Sequence, residues 1–273
     1  MLNRAFNRHA GFSLMELAVV LVIVALLLGG LLVPFGSQRD IEMMRATDKS
    51  LIDIREALIG FAAINGRLPC PAQGTIASGA ANAGVEATTG SGASLTCACA
   101  AASSPGVATI GATACATALS TDSVEGVLPW ATLGLLETDA WRFRYTYHVS
   151  SFFARGIDSA QILFGATCTP TSAPTYAAFA LCTPGAITIN TAASGGTVLA
   201  STVPAVVVSH GTSPLGAYTT SGSKLSSAAA GADEAANVDG NSTFVSNANI
   251  DDRLIWIPTP QLMNRMITAG KLP

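Results

Sequence analysis

The run from Leu17 to Phe35 contains no charged side chain and almost no polar atom. As a helix it reaches roughly 28 Å at about 1.5 Å per residue, close to the thickness of a hydrocarbon core of about 30 Å. A segment of that kind is a candidate membrane-spanning helix, and it constrains everything around it. Glu16 stands at its head. An ionised carboxylate near lipid costs on the order of 2–3 kcal/mol even on the lenient insertion scale, so Glu16 needs a partner.

The residues around Glu16 suggest one. Gly11-Phe12-Ser13-Leu14-Met15-Glu16 follows a short leader carrying Arg4 and Arg8. This pattern, placed before an uninterrupted apolar helix, resembles the class III signal of type IV pilins and pseudopilins. The resemblance implies that a prepilin peptidase cuts after Gly11 and that the new N-terminal Phe12 is methylated. It also implies that the leader lies in the cytoplasm and that Glu16 of one subunit attracts the N-terminal ammonium of a neighbour. Such a pair sits in low dielectric, where Coulomb attraction is strong. An ordinary secretory signal has an apolar core of about 7–15 residues and a small-x-small cleavage site, and Val33–Ser37 offers no convincing site. A plain anchor would not need Glu16. Lys and Arg flank the apolar run on both sides, so the positive-inside rule does not settle orientation.

Beyond the apolar run, Ile41, Met44, Leu51, Ile54, Leu58 and Phe61 recur mostly at steps of three and four, with charges between them. That is the period of an amphipathic helix whose stripe packs on a globular head. Gly29 and Gly30 weaken the helix, and Pro34 removes one of its hydrogen bonds and is expected to kink it. Asn65-Gly66 should end it.

The remaining two hundred or so residues suffice for one core with a large insertion. The chain is 11% charged, and its 49% apolar content is inflated by alanine. Its net charge of −3 argues against broad electrostatic binding of nucleic acid. All six cysteines, Cys70, Cys97, Cys99, Cys115, Cys168 and Cys182, follow the apolar helix. An even count on the exported side fits disulfides. Cys168 and Cys182 flank a Pro-rich turn and can staple a hairpin; the other four can form two more bridges of undetermined pairing. A zinc site is the competing reading, but Cys97-Ala-Cys99 lacks finger spacing.

Leu68–Thr121 holds one charged side chain, Glu86, among Ala, Gly, Ser and Thr. Such a stretch is expected to bury little and to be looped or stapled. From Gly126 the texture changes. Phe143, Tyr145, Tyr147 and Val149 alternate with Arg142, Arg144, Thr146 and His148, as in a half-buried strand. Further strands are expected at Gln161–Phe164, Ala186–Asn190, Ala205–Ser209 and Leu254–Ile257. A short C-terminal helix follows, with Thr259 as its cap, Pro260 in its first turn and Gly270 at its end. Asp139-Ala140-Trp141-Arg142 resembles the Asp-x-Trp-Gly element of type II secretion pseudopilins, with Arg in place of Gly. Leu68-Pro69-Cys70-Pro71, Leu128-Pro129-Trp130 and Val206–Gly211 resemble a pilin-like subgroup.

The expected architecture is α+β: a long N-terminal helix packed on an antiparallel β-sheet head. Its parts are a cleaved leader (1–11), a membrane half-helix (12–36), an amphipathic half-helix (37–66), a Cys-containing loop region (67–125) and a β-rich head with a C-terminal helix (126–273). No catalytic group is expected. A Gly-x-Ser-x-Gly elbow is absent, His148 reads as a solvated strand residue, and Gly222-Ser223-Lys224 reads as a loop. Ser209-His210 adjacency carries little, because strand neighbours point apart. Asp233, Glu234, Asp239, Asn241, Asp251 and Asp252 concentrate oxygen ligands in a loop-rich stretch, and calcium takes about 6–8 oxygens; a solvated loop is the competing reading. The function expected is a filament subunit, a pseudopilin or minor pilin. Its partners would be other such subunits, prepilin peptidase, an inner-membrane assembly platform and membrane lipid. The alternative is a membrane-anchored binding protein or adhesin that never polymerises.

Overall fold

A computed structural model describes residues 13–99, 107–109, 113–114, 123–157, 168, 174–238 and 241–273. The chain divides into two compact units, residues 1–44 and 45–273. One helix, α1 (Leu14–Asn65), contributes to both. It continues as helix through Gly29, Gly30 and Pro34, with no melted turn at the proline. In the first unit its described apolar side chains are exposed, from Leu14 at 88% to Leu27 at 60%. Among the described residues no helix is long and apolar enough to cross a membrane.

The second unit is built on a five-stranded sheet. Strands β1 (Thr88–Thr89), β2 (Thr96–Cys99) and β4 (Thr113–Ala114) make a small sheet of their own, while β3 (Val107–Thr109) joins the central one. The rest of the central sheet is β5 (Ser123–Val127), β6 (Thr146–Ser150), β9 (Ala205–Ser209) and β11 (Arg253–Trp256), in the order β11-β9-β6-β5-β3. All its pairings are antiparallel except β3 with β5. A third sheet, ordered β10-β7-β8, contains β7 (Ile187–Asn190), β8 (Val198–Val203) and β10 (Thr243–Val245). Short helices α2 (Trp130–Leu133) and α3 (Ala232–Ala235) lie between strands, and α4 (Thr259–Thr268) closes the chain.

One face of the central sheet packs on α1. Thr47, Leu51, Ile54, Leu58 and Ala62 recur at steps of three and four and are buried. The last four join Val124, Tyr145, Tyr147, Val149, Ala205 and Val207 in the main core, which Leu262 and Met266 of α4 complete. The apolar stripe is therefore shifted from the sequence expectation: Ile41 is 47% exposed and Phe61 half-buried, while Thr47 and Ala62 line the buried face. α1 ends where Gly66 adopts φ +72°; a Cβ there would stand 2.1 Å from the Tyr176 carbonyl oxygen, so only glycine fits.

The opposite face of the central sheet is covered too. Val206 and Val208 pack with Ile187, Ile189, Val203 and Phe244 of the third sheet. Because both faces are covered, β9 reads as the unbroken apolar run Ala-Val-Val-Val. It also corrects the half-buried reading of β6, all five residues of which are buried. His148 is not solvated: it is 1% exposed and meets the Phe244 ring edge-on at 4.7 Å.

The stretch expected to bury little is buried at its start. Leu68, Cys70 and Ala72 have no exposure, and Ala72 exchanges backbone hydrogen bonds with Val127 at 2.8 and 3.0 Å. Its lone charge explains how. Glu86 takes a two-pronged pair from Arg67 at 2.9 and 2.8 Å and also accepts the Cys70 N–H at 3.1 Å. Of the expected strands, Ala205–Ser209 is β9, Ala186–Asn190 contains β7, Leu254–Ile257 is β11 displaced by one residue, and Gln161–Phe164 lies outside the described residues. The head begins earlier than residue 126, since β5 starts at Ser123. Thr259 is inside α4 rather than its cap; its hydroxyl donates to the Thr202 carbonyl at 2.8 Å, and Pro258 precedes the helix.

Candidate functional site

The N-terminal signal meets the structure at Ser13. The Ser13 hydroxyl accepts the Glu16 N–H at 3.2 Å, and the Glu16 carboxylate accepts the Ser13 N–H at 3.1 Å. This reciprocal capping box satisfies two donors at the start of α1; caps of this type contribute about 1 kcal/mol. The Leu17 N–H closes the first turn on the Ser13 carbonyl at 3.2 Å. Ser-x-x-Glu before an apolar run is its signature, and sequence reasoning overlooked it while looking for an intermolecular partner for Glu16. Gly11 and Phe12 lie outside the described residues. Leu14, Met15, Leu17, Val19, Val20, Leu21 and their successors to Leu27 surround α1 with exposed apolar surface.

Residues 6–32 match the family model for the prokaryotic N-terminal methylation motif. The chain carries the class III signal of type IV pilins and pseudopilins. The methylation motif marks a type IV pilin-like precursor that prepilin peptidase processes, membrane-anchored first and filament-associated afterwards. The same motif is the one that suggests assembly with other pilin-type subunits. No curated protein and no solved structure matches the chain. The matched motif covers the N-terminal signal and the apolar start of α1.

In the second unit several polar side chains hold loops. Asp139 accepts the Trp141 and Phe143 N–H groups at 3.0 and 2.9 Å on one oxygen and the Ser209 hydroxyl at 2.7 Å on the other. Burial raises its pKa, against the opposing pull of Ser209, the two N–H groups and His210. Arg142, the residue standing where the pseudopilin element has glycine, adopts φ +72°. The turn therefore keeps a glycine-like conformation with a side chain that is strained by it.

Ser209 and His210 diverge as strand neighbours must. His210 Nε2 lies 2.9 Å from the Thr146 hydroxyl and Nδ1 lies 3.5 Å from Asp252. The imidazole thus contacts a hydroxyl on one nitrogen and a carboxylate on the other, and all three residues are buried. Asp252 also accepts Asn237 at 2.7 Å, and Asn237 pairs with Val245 through both its amide atoms. Ser223 and Lys224 do not form a dyad: Lys224 reaches Glu125 at 3.5 Å.

Of the acidic residues read as a calcium set, Glu234 and Asp251 both accept the Ser213 hydroxyl, and each carboxylate is engaged by protein donors. Asp233 accepts Ala193 N–H and Asn247, Glu234 accepts Ser213, and Asp251 accepts Thr212 and Ser213. Those donors lower the Asp251 pKa against the opposing effect of burial, its largest single influence. Asn241 accepts the Thr243 N–H, and Asp239 lies outside the described residues. Among the described residues no three His, Cys, Asp or Glu side chains form a metal-holding group. Cys70 bridges to Cys97 and Cys168 to Cys182. Cys115 and the Cys99 side chain fall outside the described residues. Most of the Pro-rich turn between Cys168 and Cys182 lies outside the described residues.

Proposed function

We propose that this chain is a structural subunit, a pseudopilin or minor pilin, of a type IV-like filament in type II secretion or type IV pilus machinery. It waits as a single-pass protein of the inner membrane with its second unit in the periplasm. Removal of residues 1–11 frees the Phe12 amine, and α1 then bundles with the α1 helices of neighbouring subunits on an inner-membrane platform. Glu16 of one subunit pairs with the Phe12 ammonium of the next. The observation that carries this reading is the methylation motif over residues 6–32, running into a helix whose exposed apolar side chains have nothing to cover them in the isolated chain. Mass spectrometry of the N-terminus, with filament incorporation scored for Glu16→Ala and processing scored for Gly11→Asp, tests it. Cleavage after Gly11 with a methylated Phe12, no processing of Gly11→Asp, and a cleaved but unincorporated Glu16→Ala product are expected. An intact Met1 terminus on a permanently monomeric protein would refute the proposal and leave an anchored binding protein.

A further inference from the structure

The seam between the central and third sheets holds a fully buried imidazole that nothing above uses. His148 faces Glu125 across the β5–β6 pairing, with Nε2 3.9 Å from its carboxylate, too far for a hydrogen bond. Its Nδ1 is buried and has no hydrogen-bond partner among the described residues. Glu125 is shared with Lys224, whose Nζ lies 3.5 Å away. From the end of β9 comes His210, backed by Asp252. Strands β7, β8 and β10 contain no charged residue, and from this layer the Phe244 ring meets the imidazole edge-on. The seam is otherwise held by Ile187, Ile189, Val203 and Phe244 against Val206 and Val208. Serine contacts add to it: Ser123 with Ser242 at 3.1 Å, and the Ser150 hydroxyl, which lies 3.2 Å from the Val203 carbonyl and accepts the Ala186 N–H at 2.8 Å. On the other side of β6, Tyr145, Tyr147 and Val149 enter the much larger core under α1.

We propose that His148 is an acid-operated latch between the two sheets, whose protonation releases the β7–β8–β10 layer while the core under α1 stays closed. A proton on this ring creates a cation with no acceptor at Nδ1 and one anion nearby, already committed to Lys224. Burial dominates its titration, opposed by Glu125 and reinforced by Lys224 and His210, so that the folded-state pKa falls from 6.5 to about 4. The sign follows. The open layer binds a proton more readily than the closed one, so opening is favoured as pH falls from about 6.5 towards 4. Between pH 7 and pH 4.5 the opening constant should rise about 50-fold.

Hydrogen exchange of the processed full-length chain in detergent, corrected for intrinsic rates, reads this directly. Amides of β7 and β10 should exchange about 50-fold faster at pH 4.5 than at pH 7, with those of α1 residues 51–62 unchanged. His148→Phe, which keeps a ring against Phe244, should abolish the acceleration, and His148→Gln should do so if the larger apolar ring disturbs the seam. Equal acceleration of both layers, no acceleration, or an acceleration that survives in both variants would overturn the latch.

Discussion

Arg144 offers the sharpest test of how the second unit is held. Its side chain has no solvent exposure. Nε and Nη2 lie 2.8 and 2.7 Å from Glu137, Nη1 donates to the Gly74 and Ile76 carbonyls at 2.8 Å each, and Nη2 reaches the Ser78 hydroxyl and the Thr220 carbonyl at 3.2 and 3.3 Å. The guanidinium also stacks on Trp130 at 4.7 Å. Three loops distant in sequence therefore meet on one cation. Removing one partner of a buried pair costs about 3–5 kcal/mol, and each orphaned acceptor about 1–3 kcal/mol. These losses overlap, because the groups form one network. Glu137 is 23% exposed and can recover some hydration. Arg144→Ala should therefore cost about 4 kcal/mol, or roughly 10 °C in midpoint for a unit of this size. Arg144→Lys keeps the charge, yet one ammonium cannot serve the carboxylate and the 74–76 carbonyls together; it should cost about half as much. Urea unfolding followed by tryptophan fluorescence, with Trp130 as the local reporter, measures both. A loss below about 1 kcal/mol for alanine, or full rescue by lysine, would refute the view that the fork geometry holds these loops.

Arg142→Gly should stabilise the second unit by about 0.5–1 kcal/mol, since the left-handed conformation costs an L-residue about 1–2 kcal/mol and glycine gives back part of that as chain entropy. Arg142→Ala, which keeps the strain, should leave the unfolding midpoint unchanged; an equal gain from alanine would show that the arginine side chain itself is the burden. Replacing Cys70 and Cys97 by alanine should cost about 3–4 kcal/mol, because that bridge closes a separation of 27 residues. Opening Cys168–Cys182, with a separation of 14, should cost about 3 kcal/mol in the same denaturation assay.

The features legible in the sequence were those whose causes are local. The signal hexapeptide, the apolar run, the helix stop at Gly66 and the strands at β7, β9 and β11 each show in a few adjacent side chains. The lone Glu86 in an otherwise uncharged stretch was also a signal. A carboxylate isolated among small residues calls for a partner, and Arg67 stands next to the same segment. The capping box at Ser13 and Glu16 was equally local, yet it was hidden by the search for a distant counter-ion. β8 and β10 carried no comparable mark. β8 is exposed along most of its length, and β10 has three residues among Asn and Ser.

What the sequence by itself determined is the processing signal, the long helix and the α+β class, because cleavage motifs, apolar length and period-two alternation are properties of neighbours along the chain. Only the tertiary structure decided which polar residues are interior. Alternation along β6 reports that Thr146, His148 and Ser150 share a face; it cannot report that a second sheet covers that face. Glu125 meets Lys224 across 99 positions and Asp139 meets Ser209 across 70. A buried polar group is settled by whichever distant donor the fold brings to it, and no window of sequence contains both.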